Sequence, residues 1–341
     1  MNFYKNKNVL ITGHTGFKGA WLAKTLEILG SKITGYALEP KRPSIFRSLN
    51  LNINSIIGDI RDTDKLQSCF NTSKPEIIFH LAAQPIVSEG YAFPKETYET
   101  NIMGTVNVLE CARLSDSVKS AVVITTDKVY KSDDTKRTFC ENDILDGFDP
   151  YSNSKSCSDI ITRCYRDCFF KNQSAAVSSA RAGNVIGGGD FAKNRIIPDC
   201  IRAAIDNRDI IIRNPNSVRP YQYIMDTLYA YLLIAKRQYE DRTLAGSYNI
   251  APVEYVNNAR LVDLFCKTWG NISWRTENNL GFHETEELKI DGSKIKSVLG
   301  FEPKFDIQTA IEKTVEWTKI YSQNGDINAV TEQQIKNYIR G

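Results

Sequence analysis

Histidine is nearly missing from this chain: 341 residues carry three, at His14, His80 and His283. The eight cysteines are scattered without the paired spacings of a metal site. Cys164 and Cys168 share a helical face, but with so few histidines a zinc site is not expected. A metal-dependent reaction is therefore disfavoured, and the thiols read as the reduced side chains of a cytoplasmic protein. No apolar run is long enough to cross a bilayer, and Met1–Lys7 lacks the apolar core of a signal peptide. One-signed charge is lacking too. Lys plus Arg number 43 and Asp plus Glu 40, a formal charge of +3, with no block of like charges. That balance gives nucleic acid nothing to hold, and no partner of that kind is expected. Internal repeats and low-complexity stretches are absent. The length suits one large α/β domain and a smaller lobe around a shared cleft.

What the chain does carry is local order of a particular kind. Asn8-Val9-Leu10-Ile11-Thr12 reads as a short buried strand, and Gly13-His14-Thr15-Gly16-Phe17-Lys18-Gly19 follows at once. Ala20 to Leu26 then has helical apolar spacing. Strand, glycine turn and helix in that order form the setting of a dinucleotide-binding loop. The glycines let the backbone approach a pyrophosphate, which the free N–H groups of a helix N-terminus attract. His14 and Phe17 read as residues that shape the loop.

A second strand, Lys32 to Leu38, ends near Ala37, where an acid often meets the adenosine ribose. The nearest acid is Glu39, and Lys41 and Arg42 follow, so both NAD and NADP stay open. At the next strand end, Asp59 is placed to accept from an adenine amine and Ile60 to pack on its face. The alternative for Asp59 is a helix cap ahead of Thr63. Glu76 to Gln84 reads as a fourth strand whose exit, Leu81-Ala82-Ala83-Gln84, lets a cofactor come close. Glu96 to Arg113 has the period of a long helix. Asn101 inside it is a mediocre helix former, so it faces solvent or bonds something specific.

Ala121 to Ile124 is another buried strand, delivering Thr125, Thr126, Asp127 and Lys128 to the edge where open parallel sheets bind ligands. Downstream comes Tyr151-Ser152-Asn153-Ser154-Lys155. On a helix these two side chains share a face, and the ammonium beside the phenol favours its ionised form. A phenol titrates near ~10 unperturbed, so such help makes it a base able to strip a proton from a sugar hydroxyl. After the strand Ala175–Arg181, the run Gly183 to Asp190 reads as a flexible loop opening a second lobe. Gly246 to Ile250 is a late strand, and the rest reads as short helices and loops. The expected fold is a doubly wound parallel Rossmann-type sheet with a smaller C-terminal α/β substrate lobe. Its sheet domain takes residues 1–182 and about 219–250, and the lobe about 183–218 and 251–341.

The glycine motif, Leu81-Ala82-Ala83-Gln84, Asn101, Thr126-Asp127-Lys128 and Tyr151-x-x-x-Lys155 together resemble the extended short-chain dehydrogenase/reductases that act on nucleotide-linked sugars. Within them, Gly13 to Gly19, Asp149 to Lys155 and Arg181 to Asp190 resemble the CDP-glucose 4,6-dehydratase family, from about Lys7 to near Trp317. The resemblance implies a tightly held nicotinamide cofactor. It implies conversion of CDP-D-glucose to CDP-4-keto-6-deoxy-D-glucose, and a homodimer pairing helices 96–113 and 151–170. It also implies roles. Gly13, Thr15, Gly16, Phe17, Lys18, Gly19, Asp59, Ile60, Leu81–Gln84, Asn101, Thr125, Tyr151 and Lys155 would bind cofactor. Tyr151 would take the C4 hydroxyl proton, and Thr126 would bond the same oxygen. Asp127 as acid and Lys128 as base would remove water across C5 and C6. Related dTDP-glucose enzymes carry Asp-Glu where this chain has Asp-Lys. Arg219 and Asn184, with Gln84, Arg195 and Arg213, would bind substrate. Two departures stand out: Ser88-Glu89-Gly90 precede Tyr91, and Arg219-Pro220-Tyr221-Gln222-Tyr223 replaces the family's Arg-Pro-Trp-Gln-His. A 4-epimerase is the alternative enzyme, needing Tyr151 and Lys155 but no elimination pair. A non-catalytic dinucleotide sensor is the third reading, and the intact Tyr and Lys argue against it.

Overall fold

Seven strands form one all-parallel sheet. They are β1 (Asn8–Thr12), β2 (Lys32–Ala37), β3 (Asn54–Ile57), β4 (Ile77–His80), β5 (Ser120–Ile124), β6 (Ala176–Ala182) and β7 (Ser247–Ile250). Their spatial order is β7-β6-β5-β4-β1-β2-β3. This is a computed structural model, which describes residues 2–132, 137–173, 175–277 and 287–340; His283 lies outside them. The sheet reverses direction between β1 and β4, and the crevice at that switch is where such sheets hold ligands.

Both faces of the central sheet are covered, so β1, β4 and β5 are almost wholly buried rather than alternating. In β1, Val9 and Ile11 join one buried cluster and Leu10 the other, as a period of two requires. The first cluster lies under α1 (Phe17–Ile28), with Trp21, Leu22 and Leu26 fully buried. The second lies under α2 (Thr63–Ser73) and α3 (Gly104–Arg113), through Leu66, Phe70, Val108 and Leu109. α4 (Pro150–Cys168) runs along β6, and α5 (Ile224–Glu240) packs on β5 and β6. Asp62, not Asp59, caps α2, accepting from Lys65 N at 3.0 Å.

Smaller pairings lie outside the sheet: Asn184–Ile186 with Tyr221–Tyr223, Val218–Arg219 with Val256–Asn257, and Ile210–Ile212 with Trp274–Thr276. The later chain holds longer helices than its composition suggested: Asn258–Trp269, Ile307–Ser322 and Ile327–Arg340. The last of these packs on α1, where Glu332 meets Lys24 at 3.0 Å. The expected flexible loop also differs. Gly187 to Asp190 are buried, and a Cβ on Gly188 would lie 2.1 Å from the Trp317 ring. Its glycines leave room for side chains to sit on the backbone, Ile224 at Gly187, Trp317 at Gly188 and Ile45 at Gly189. Among the described residues no helix is long and apolar enough to cross a membrane.

Candidate active site

The glycine loop divides its work among three positions. Gly13 has φ +78, and a Cβ there would lie 2.7 Å from Ala82 N. A Cβ on Gly19 would lie 2.1 Å from Gly13 O, so this glycine lets α1 close on the turn. Gly16, exposed at the N-cap of α1, makes no side-chain cap, which leaves the first N–H groups of the helix for an anion. Thr15 Oγ1 donates to Leu38 O at 2.9 Å, tying the turn to the end of β2. His14 is buried between Phe46 and Ser55 and pushed down to about 4 by burial, so it shapes the loop as expected. Phe17 lies near Gly187. These residues fit a dinucleotide: a cradle closed to side chains on two glycines and open on the third.

At the end of β2, Glu39 pairs with Arg47, while Lys41 and Arg42 are exposed. Asp59 is clasped by Arg61, its Oδ2 2.6 Å from Nη2, which holds the carboxylate below its usual range. Ile60 is buried, and a Cβ on Gly104 would lie 2.3 Å from its Cδ1.

The exit of β4 is fixed by Asn101. The expected long helix is in fact Pro94–Tyr98, a π turn Glu99–Met103 and α3, and Asn101 sits buried in the π turn. Its Oδ1 accepts from Gln84 N at 2.8 Å; its Nδ2 donates to Gln84 O at 3.1 Å and Ser154 Oγ at 2.8 Å. One amide thus aligns Leu81–Gln84 with α4. The Gln84 side chain donates to Thr97 Oγ1 and accepts from Ile86 N, spanning the same turn.

The exit of β5 and the start of α4 meet. Asp149 caps α4, accepting from Ser152 N at 3.0 Å. Thr126 Oγ1 donates to Asp127 Oδ1 at 2.8 Å and is hydrogen-bonded to Tyr151. Asp127 is 1% exposed, with Oδ2 lacking a partner among the described residues. Burial pushes its carboxyl up, and the charges of Lys128 and Arg219 pull it back. Lys155 departs from expectation. Its Nζ donates to Ile124 O at 2.8 Å, and burial with the Lys18 charge pushes it down to about 7. The Tyr151 phenol is pushed up to about 12 by burial, opposed by the Arg195 charge and the Thr126 bond rather than by Lys155. Lys18 is itself pushed down to about 8 by burial and Arg195, and it feels Asp127 and Asp190. The loop lysine therefore reaches the same centre as the Tyr–Lys helix.

Of the substrate candidates, Arg219 is buried on the strand Val218–Arg219, near Asp127. Asn184 N donates to Pro220 O at 2.9 Å, beside it. Arg195 forms an ion pair with the buried Asp190 at 3.0 Å. Arg213 is exposed after Ile210–Ile212 and is not brought to this centre by any bond described. Thr125 turns away: its Oγ1 donates to Asp159 Oδ2 at 3.0 Å.

Three residues carry more of the site than the sequence reading saw. Asp159 and Arg181 form a buried two-pronged pair, Arg181 Nη2 to Oδ1 at 2.7 Å and Nε to Oδ2 at 2.8 Å. Asp159 lies at i+4 from Lys155 and i+8 from Tyr151, a ladder that spacing alone could have extended. His80, at the end of β4, links Thr12 at 2.7 Å and Thr105 at 3.2 Å. Burial and the Lys155 charge push it down to about 3, so it is a neutral structural link. All eight cysteines are free; Cys164 and Cys168 sulfurs lie 4.0 Å apart on exposed α4. Among the described residues no group of metal ligands exists.

A glycine cradle, a Tyr–Lys helix and adjacent Asp127 and Lys128 lie on one parallel sheet edge, in a chain whose likenesses are to nucleotide-sugar-modifying short-chain dehydrogenase/reductases. The GDP-mannose 4,6 dehydratase family model matches residues 10–314. The chain belongs to that family of NAD-dependent dehydratases and epimerases, the extended short-chain dehydrogenase/reductases. It is 39% identical to the CDP-glucose 4,6-dehydratase of Salmonella typhimurium, over 99% of this chain and 98% of that one. It is 26% identical to the dTDP-glucose 4,6-dehydratase of Escherichia coli, over 91% of this chain and 92% of that one. In fold it resembles the epimerase Mth375 of Methanothermobacter thermautotrophicus. There the TM-score is 0.82 at 21% identity, covering 94% of this chain and 96% of that one. It also resembles the dTDP-glucose 4,6-dehydratase DesIV of Streptomyces venezuelae. The TM-score is 0.79 at 22% identity, covering 93% of this chain and 98% of that one.

Proposed function

We propose that the protein is a CDP-glucose 4,6-dehydratase, forming CDP-4-keto-6-deoxy-D-glucose from CDP-D-glucose without net redox. The observation that carries this reading is the buried Asp127, next to Lys128 and bonded to Thr126 beside Tyr151. A 4-epimerase has no use for a second acid–base pair. The nucleotide rests on the 39% full-length likeness to the Salmonella enzyme.

NAD would be held by Gly13, Thr15, Gly16, Phe17, Lys18 and Gly19 at its pyrophosphate, with Asp59 and Ile60 toward the adenine. Leu81–Gln84, Asn101, Tyr151 and Lys155 would complete its site toward the nicotinamide. When bound it supplies a hydride acceptor that takes hydrogen from sugar C4 and returns it to C6.

Tyr151 takes the proton of the C4 hydroxyl, and Thr126 steadies the oxygen as it becomes a carbonyl. The ketone acidifies C5–H, and Lys128 removes that proton. Asp127 gives its proton to the departing C6 hydroxyl, and burial, which pushes its carboxyl up, favours the form that carries one. Arg219 and Asn184 hold the diphosphate, where a guanidinium fork matches phosphate oxygens, with Gln84 and Arg195 around the sugar and nucleotide. Residues 1–182 and about 219–250 carry the cofactor, and about 183–218 with 251–341 carry the substrate. Two chains pair through helices 96–113 and 151–170, and the reaction runs in the cytoplasm.

The test is a panel of CDP-, UDP-, dTDP- and GDP-hexoses incubated with the protein and followed by mass spectrometry. Loss of one water from CDP-glucose alone is the expected result. Loss from another nucleotide sugar refutes the substrate, and inversion without mass change refutes the reaction.

A further inference from the structure

We propose that Asp159 and Arg181 are positioning residues for the elimination step, gripping both ends of the segment Thr125–Tyr130 so that Asp127 and Lys128 stay set against Tyr151. The inference deepens the dehydratase reading and rests on it. The two side chains are 1% and 2% exposed, Asp159 on α4 one turn beyond Lys155 and Arg181 on β6. Besides its two bonds to Arg181, Asp159 accepts at Oδ2 from Thr125 Oγ1 at 3.0 Å. Arg181 Nη1 donates to Tyr130 Oη at 2.9 Å. One ion pair thus holds the residue that leads into Thr126-Asp127-Lys128 and, two places past it, the residue that leads out. A third tie comes from the same helix, where Ser156 Oγ donates to Val129 O at 2.7 Å.

The frame around the grip is itself fixed. Tyr130 Oη donates to Asn249 Oδ1 on β7, and its ring stacks on Phe139 with centroids 5.0 Å apart. Arg181 Nη1 also donates to Glu141 O at 3.0 Å, while Asn249 N donates to Glu141 Oε1 at 2.8 Å. Stability alone is a weak reason for such a pair. Two charges taken out of water lose hydration that their attraction barely repays, and apolar replacement of a buried pair is often neutral. What the pair adds is direction, because a guanidinium fork on a carboxylate fixes one relative geometry. The two halves of the reaction depend on it unequally. Tyr151 keeps its place on α4 through the Asp149 cap and through Ser154, which accepts from Asn101. Asp127 and Lys128 ride on the gripped segment, in the short turn Asp127–Val129.

Two variants each release one end of the segment and leave the ion pair whole: Thr125→Val and Tyr130→Phe. With CDP-glucose, each forms bound reduced nicotinamide at close to the wild-type rate, followed by near-ultraviolet absorbance. Its decay, and the water loss seen by mass spectrometry, slow by about 10–100-fold, the cost of displacing a reacting group by about 1 Å. Reduced nicotinamide therefore accumulates in both. Wild-type decay in both variants overturns the proposal. So does a formation step slowed as much as the decay, which makes the pair part of the general fold. A second readout needs no turnover: amide hydrogen exchange over residues 125–130. Exchange there quickens in both variants while β1 and β4 keep wild-type protection, and unchanged exchange over 125–130 overturns the proposal. If wild type removes water from no nucleotide sugar yet that exchange quickens, the dehydratase reading falls and the grip on the segment stands.

Discussion

Tyr151 carries the sharpest residue-scale expectation. Tyr151→Phe keeps the ring and its packing but removes the proton acceptor, and positioned acid–base groups contribute about 10²–10⁴-fold. Water loss from CDP-glucose should fall by that range while thermal unfolding stays near wild type. Asp127→Asn and Lys128→Met act one step later. Each should stop after C4 oxidation, leaving bound nicotinamide reduced, which near-ultraviolet absorbance reads directly. Normal water elimination in both variants would make the pair structural. These residues were legible in the sequence because their partners are close in it: Thr126 beside Asp127, Tyr151 one helical turn from Lys155. The direction of Lys155 was not. Lys155 bonds a carbonyl 31 positions away, a distance no spacing rule spans.

Asn101 was read as an awkward guest in a helix, and the element explains it. A π turn inside Pro94–Arg113 aims one amide at the β4 exit and at α4 together. Asn101→Leu leaves Gln84 N–H and C=O without these partners, at about 1–3 kcal/mol for each buried group. Denaturant unfolding should show that loss, and cofactor retention through gel filtration should fall with it. The glycine loop gives a second expectation of this size. Gly19→Ala sets a methyl 2.1 Å from Gly13 O, so α1 must shift off its turn and cofactor retention should be lost. Strand, turn and helix were readable at this scale because each signal is local. Gly187 to Asp190 was not: its glycines signal freedom in sequence, while in space Trp317 and Trp21 close on them.

Across the whole molecule, buried cations give stability a pH slope. Lys155 folds with its pKa near 7 and Lys18 near 8, both below the 10.5 of an unfolded lysine. Between those values the unfolded chain binds more protons, so stability rises with pH. The melting temperature of wild type should climb from pH 7 to 9 more steeply than that of Lys155→Met. Equal slopes would remove Lys155 from this account. The sheet order itself was foreshadowed by strand–helix alternation, but not which strand would close it. β7 begins at Ser247, yet it pairs with β6, and the helix Ile327–Arg340 covers α1. During synthesis the outer edge of β6 therefore has no neighbour until some 70 further residues have emerged, and the outer face of the first helix waits for nearly the last. An unpaired parallel edge is a ready template for wrong pairing. A nascent chain cut near residue 182 would hold the entire glycine loop and the Tyr–Lys helix and still be a poor candidate for a free-standing domain, since its assembly is finished from the far end inward.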